Sequence, residues 1–148
     1  MNREILFKAK RKDNGEWVEG YYIYHIKRTI CPLGDSVKPE DEQHVIMQDG
    51  FSDWNMPRNT VVYEIDPDTI CQYTGLTDKN GKKIWENDII SYGNEKGTVE
   101  FKNGQYVIEW RNESPYRDDF YFWGMYRKRF IEGIGNIFDN ADLLEVEE

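Results

Sequence analysis

At 148 residues with a formal charge of −9, from 19 basic and 28 acidic side chains spread over both halves, the chain lacks the concentrated positive footprint that duplex DNA binding needs. Its two cysteines, Cys31 and Cys71, have no CxxC partner and cannot build a disulfide framework, and no run of about 18 apolar residues exists to cross a membrane as a helix. The apolar alphabet is that of strands, with 14 Ile and 8 Val against 5 Leu and 2 Ala, and 15% aromatic residues.

The N-terminus has a charged start but no apolar core of signal-peptide length, so a reduced, cytoplasmic protein is the expectation. Ile5 to Lys10 leads through Asp13-Asn14-Gly15-Glu16 into Trp17 to Tyr24, a strand, turn and strand with Asn-Gly at the hinge. The basic cluster Lys8, Lys10, Arg11 and Lys12 reads as a solvated edge strand, since lysines there discourage edge-to-edge association; contact with an acidic ligand is the alternative. From Ile26 to Asn59 periodicity fades. Cys31 to Glu42 predicts a loop, His44 to Met47 a short strand, and Gly50 to Pro57 a second irregular stretch whose Phe51 and Trp54 must be buried or present an adhesive surface. Thr60 to Ile65 resumes as a strand, and Asp66-Pro67-Asp68-Thr69 turns the chain.

Thr69 to Ile90 reads as two strands around Asp78-Lys79-Asn80-Gly81. The Asn-Gly dipeptide there predicts a two-residue type I′ hairpin, because both central positions of that turn require positive φ. Strands at Asp88–Tyr92, Thr98–Phe101 and Tyr106–Trp110, separated by turns at Gly93–Gly97 and Lys102–Gln105, make a meander. Asp118 to Arg129 packs five aromatics between Phe120 and Tyr126, and a helix and a buried strand both fit it. Ile131 to Phe138 is a glycine-bearing strand, followed by a short helical tail capped near Asn140. The expectation is a mainly β chain, with a hairpin and loop region over residues 1–68 and a small barrel over 69–148, or one shared core.

Gln72-Tyr73-Thr74-Gly75-Leu76-Thr77-Asp78-Lys79-Asn80-Gly81-Lys82-Lys83-Ile84-Trp85-Glu86-Asn87-Asp88-Ile89-Ile90 resembles the signature of the YopX-like family of bacteriophage and prophage proteins. Arg3 to Lys10 with Gly15 to Gly20, and Ile134 to Asn140, fit the same family. Asn87 stands where the family usually has Gly; Asn tolerates positive φ, so the departure costs the fold little. Cys71 sits where a small residue is common. The resemblance implies a C-terminal barrel of SH3-like kind, a phage or prophage origin, assembly into a ring and no assigned activity; it carries no catalytic residues.

Catalysis would need a nucleophile with a base, and the material is Cys71 or Cys31 with His25 or His44. A lone thiol between Ile70 and Gln72 is more simply a small buried apolar residue. Glu86 and Asp88 fall on one face of a strand, as a carboxylate pair needs, but acids at that position are ordinarily just solvated. Asp66 and Asp68 could hold a hard cation, yet turn acids recur without metal. No enzyme, cofactor or metal is expected. Binding would use Tyr73, Trp85, Tyr106 and Trp110 as an aromatic face, with Trp54 and Trp123 as surplus anchors, unless those rings fill the core. The expected partners are a second copy of the chain and a host or phage protein, with no membrane and no duplex nucleic acid. The rival is a single-stranded nucleic-acid module that stacks bases on Tyr and Trp beside Lys8 to Lys12.

Overall fold

The computed structural model describes residues 3–111, 118–120, 123 and 127–145. Among these the fold is mainly β, with ten strands and 3₁₀ turns of three or four residues between them. The chain forms two compact units, Ile5–Ile70, and Cys71–Glu148 with Met1–Glu4.

The first unit is an antiparallel meander of β1 (Phe7–Lys10), β2 (Trp17–Ile26), β3 (Glu42–Asp49) and β4 (Thr60–Glu64), in the order β4-β3-β2-β1. Strand alternation and register put Phe7, Ala9, Val18, Tyr22, Ile46 and Tyr63 on one face, where with Ile65 and Ile70 they form the core. The same alternation puts Lys8, Lys10, Trp17, Glu19, Tyr21, Ile23, Met47 and Val62 on the other face. The two ends of the meander meet. Arg11 bridges Ile65, the Lys12 N–H donates to the Glu64 carbonyl at 3.0 Å, and the Asp66 N–H donates to the Lys10 carbonyl at 2.9 Å.

Residues 27–41 are irregular, as composition predicts, but Arg28 braces them. Its guanidinium donates to Asp41 at 2.8 Å, to Asp35 at 2.7 Å and to the Ser36 carbonyl at 3.1 Å. The Arg28 hydrogen bond, helped by the N–H groups of Cys31 and Ser36, holds the Asp35 carboxyl down to about 2. The predicted short strand at His44–Met47 is the middle of an eight-residue one.

The second unit has a hairpin of β5 (Cys71–Thr77) and β6 (Lys83–Trp85). Beside it is a four-stranded antiparallel sheet of β7 (Asp88–Tyr92), β8 (Glu95–Lys102), β9 (Gln105–Trp110) and β10 (Glu132–Asn136), in the order β10-β7-β8-β9. Its core is Ile84, Ile90, Val99, Ile108, Phe120, Trp123 and Ile131. Among the described residues the strands do not close into the expected barrel. Residues 121, 122 and 124–126 of the aromatic segment 118–129 lie outside the described residues; Phe120 and Trp123 within it are buried. The expected helical tail is a 3₁₀ turn, Ala141–Leu144, and the Asn140 side chain does not cap it but accepts from the Asn136 N–H at 3.2 Å.

Loop length decides what each Asn-Gly pair does. At Lys102–Gln105, where the strands pair directly across two residues, Asn103 and Gly104 both take positive φ, 52° and 81°, as a type I′ turn demands. At Asn80-Gly81 the expectation of the same turn is corrected, because only Gly81 is left-handed, with φ 79°. The Gly81 N–H donates to the Asp78 carbonyl at 3.0 Å and the Asp78 N–H to the Lys82 carbonyl at 2.9 Å, which is the three-residue loop that ends in one left-handed residue.

What selects the longer loop is the Asp78 side chain. It is 1% exposed; Oδ1 accepts the N–H groups of Asn80 and Lys82, both at 2.9 Å, and Oδ2 accepts the N–H of Gly133 on β10, also at 2.9 Å. Burial pushes this carboxyl up. The three N–H donors and the nearby Lys82 charge outweigh burial, and its pKa lies below the ordinary value. A carboxyl lowered in the fold stabilises it above the ordinary carboxylate range and loses that contribution as pH falls through the lowered value. Asp78→Ala, which leaves those donors without their anion, should cost about 2–4 kcal/mol. In urea unfolding followed against pH, the gap between wild type and Asp78→Asn should be widest near neutrality and shrink in acid; a gap independent of pH would contradict this role.

Candidate functional site

The aromatic residues singled out from sequence divide by burial. Trp85, opposite Tyr73 in the β5–β6 register, is 4% exposed with the two rings 5.5 Å apart, and the Lys83 ammonium sits 5.4 Å over Tyr73. Trp123 is also 4% exposed, with Trp110 edge-on at 5.1 Å and Tyr92 at 5.0 Å. Tyr106 and Trp110 are half-buried against the same core. Trp85 and Trp123 therefore serve packing and are not open to a partner. Tyr106 borders a cleft of about 200 Å³ with Thr74, Leu76, Gln105, Asp119 and Phe120. Burial and then the Glu86 charge push the Tyr106 phenol up, with Arg3 opposing, so at neutral pH it remains a hydrogen-bond donor.

Cys71 is fully buried with the Asn87 side-chain amide 3.6 Å away, whereas Cys31 is exposed. The Tyr22 hydroxyl pairs with His44 Nδ1, and His25 Nε2 lies 2.6 Å from Gln43 Oε1. The Asp88 carboxylate accepts the Trp85 N–H at 2.9 Å, so it closes the β6–β7 turn instead of pairing with Glu86. Glu86 is pushed up by burial, against a backbone hydrogen bond from Gln72. Between them Asn87 takes φ 71°, the left-handed conformation that Asn tolerates. Its N–H donates to Val99 at 2.8 Å and its carbonyl accepts from Ile137 at 3.0 Å. Asp66 accepts the Asp68 N–H at 3.0 Å, a turn cap. Among the described residues no group of three or more His, Cys, Asp or Glu is placed to hold a metal ion.

What the first unit offers is surface. In the β3–β4 loop Phe51 is 90% exposed, Trp54 93% and Met56 63%. The loop is shaped locally, by the Met56 N–H on the Asp53 carbonyl at 3.1 Å, the Ser52 hydroxyl on the Met56 carbonyl at 3.3 Å, and Asn55 at φ 66°. On the outer sheet face Tyr21, Ile23 and Val62 are exposed, with Met47 between Tyr21 and Val62 in the register. Sequence reasoning singled out Trp54 but missed this face. The available signal was β2 itself, Tyr21-Tyr22-Ile23-Tyr24, which does not alternate with polar residues and so gives both faces apolar character. Nearby, Arg11, Lys12, Asp13, Val62, Tyr63 and Glu64 line a cleft of about 500 Å³. Its charges are paired, with Arg11 4.4 Å over the Tyr63 ring and on Asp13, and Lys12 on Glu64 at 3.3 Å, but the Arg11 Nε is buried with no hydrogen-bond partner among the described residues.

The two classes of tryptophan should respond differently to truncation. Trp85→Ala should destabilise by about 3–5 kcal/mol, and Trp54→Ala should stay within about 0.5 kcal/mol of wild type in chemical unfolding. Comparable losses would mean that the Trp54 loop packs against its own unit.

A family model described as YopX protein matches residues 6–145 of the chain. No curated protein matches it. The fold is similar to that of protein EF1440 from Enterococcus faecalis, known from a crystal structure, with a TM-score of 0.52 and 21% identity over 97% of this chain and 100% of that one.

Proposed function

The chain belongs to the YopX family, and on that premise we propose that it is a phage- or prophage-encoded accessory protein of the bacterial cytoplasm that works without catalysis, by self-association and protein binding. The observation that carries this reading is the loop with Phe51, Trp54 and Met56, three large apolar side chains more than half in solvent. Burying each would stabilise a complex by roughly 1.5–3 kcal/mol, a gain the isolated chain forgoes. Asp88 on the Trp85 N–H, Cys71 beside the Asn87 amide and His44 on the Tyr22 hydroxyl engage turns and packing, which favours a binding role over chemistry. The charge of −9 opposes self-association at low ionic strength, and added salt screens that repulsion.

The rival, single-stranded nucleic-acid binding, draws on the outer-face pairing of Lys8 and Lys10 with Trp17, whose ring lies 4.9 and 5.4 Å from the two ammonium groups. Salt separates the two. Light scattering over a concentration series should give a mass above the 17.7 kDa of one chain that is retained or grows from low to high salt. A monomer throughout, with oligonucleotide affinity that falls steeply as salt rises, would replace this reading with the rival.

A further inference from the structure

We infer that the open edge of β4 takes an extended peptide segment of another protein, added as a further strand with a carboxylate of that segment against Arg11. The inference rests on the protein-binding part of the reading above and names a surface and the partner's chemistry. In the β3–β4 register the Ile65 N–H donates to the His44 carbonyl and the Gly50 N–H to that of Asn59, so the bonded positions of β4 are Val61 and Tyr63. Thr60, Val62 and Glu64 turn their backbone groups to the other side. There a ladder has already begun, because the Lys12 N–H donates to the Glu64 carbonyl and the Asp66 N–H to that of Lys10. It stops at Lys12, where the chain turns back: the Gly15 N–H donates to the Arg11 carbonyl and the Arg11 N–H to that of Glu16. Among the described residues no strand pairs with Thr60 and Val62 on that side of β4.

The cleft of about 500 Å³ lined by Arg11, Lys12, Asp13, Val62, Tyr63 and Glu64 lies where this ladder stops. β4 reads Thr-Val-Val-Tyr-Glu, without the proline, lysine or bulge that discourages a further strand from pairing. Net charge does not choose the partner, since Arg11, Lys12 and Arg58 are matched by Asp13, Glu64 and Asp49. Arg11 does. Its Nε is buried without a partner where the guanidinium now lies, and the Asp13 side chain that pairs with it is 64% exposed. By turning toward the edge the guanidinium can exchange that exposed contact for a carboxylate held in a strand, in a charge-assisted bond. A second copy does not offer this. Two antiparallel β4 strands centred on Val62 would set each Glu64 opposite the other copy's Thr60, at the far end of the strand from Arg11, which bridges Ile65.

Capped peptides of one β-branched stretch, with Glu at either its N-terminal or its C-terminal end, test this on the full chain by NMR, beside the same peptides carrying Gln. One of the Glu peptides should shift the amide signals of Lys12, Thr60 and Val62 and slow exchange of the Val62 N–H. It should bind roughly ten-fold more tightly than its Gln counterpart, and Arg11→Gln should erase that ratio. Val62→Pro should abolish binding while the β3–β4 ladder keeps its bonds, because the N–H it removes faces away from β3. If that variant does not fold, exchange of the Val62 N–H in the wild type decides. The inference is overturned if neither Glu peptide moves Thr60 and Val62 at millimolar concentration, if Glu and Gln peptides bind alike, if Arg11→Gln keeps the ratio, or if folded Val62→Pro binds as wild type does. Shifts confined to the loop of Phe51, Trp54 and Met56 would overturn it and leave the protein-binding reading standing. A monomer with salt-sensitive oligonucleotide affinity and no peptide binding would bring down both.

Discussion

A single buried carboxylate, that of Asp78, ties together parts of the second unit that are far apart in sequence. It collects the N–H groups of Asn80 and Lys82 from its own turn and that of Gly133 from β10, 55 residues away. An anion suits the place because all three partners are donors: a carboxylate offers only acceptors, whereas an amide would bring two donors of its own. The bonds are charge-assisted and shielded from water, so they outweigh the penalty of burial. Next to them the Lys79 N–H donates to the Ile131 carbonyl at 3.1 Å, so the hairpin loop is fixed to the start of β10 at two points. From there β10 runs along β7 with an irregularity between Gly133 and Gly135.

The second turn of the signature stretch works the same way. Asp88 closes it on the Trp85 N–H, and left-handed Asn87 links β8 through Val99 to the segment after β10 through Ile137. Residues of the stretch's pattern, Asp78, Gly81, Trp85 and Asp88, are thus among those that set turns and join strands. The carboxylates of its Asp78 and Asp88 are occupied by backbone donors.

How much of this the sequence made legible follows from the range of the interactions. The hairpins and the mainly β character depend on residues close in the chain, and local composition exposes them, whereas the left-handed Asn87 was implied only by the family resemblance. The turn type at Asn80-Gly81 was misjudged because the Asn-Gly dipeptide was weighed alone, whereas Asp78 at the first and Gly81 at the fourth position favour a type I turn that the Asp78 carboxylate locks on Asn80 and Lys82. Likewise, alternation could not tell whether Trp85 and Trp123 are core or surface, since Ile84-Trp85 between Lys83 and Glu86 is too short to show a period and Trp123 lies in an aromatic run without one. The length of β3 was hidden because Glu42 and Gln43 before the predicted strand and Gln48 and Asp49 after it are polar, and pairing with β2 and β4 compensates. For the surfaces, Trp54 was legible as an anomaly, a large ring in a stretch without period. The face of Tyr21, Ile23 and Val62 was not, because it exists only once β2, β3 and β4 are in register.

Amide hydrogen exchange reads the Asp78 linkage directly in the intact protein. The account predicts that the N–H groups of Asn80 and Lys82, although they belong to exposed turn residues, exchange as slowly as that of Gly133 and with the same dependence on denaturant, since all three open only when the carboxylate is released. Fast exchange of Asn80 and Lys82 alongside a protected β7–β10 ladder would contradict it, because the turn would then open without disturbing the sheet.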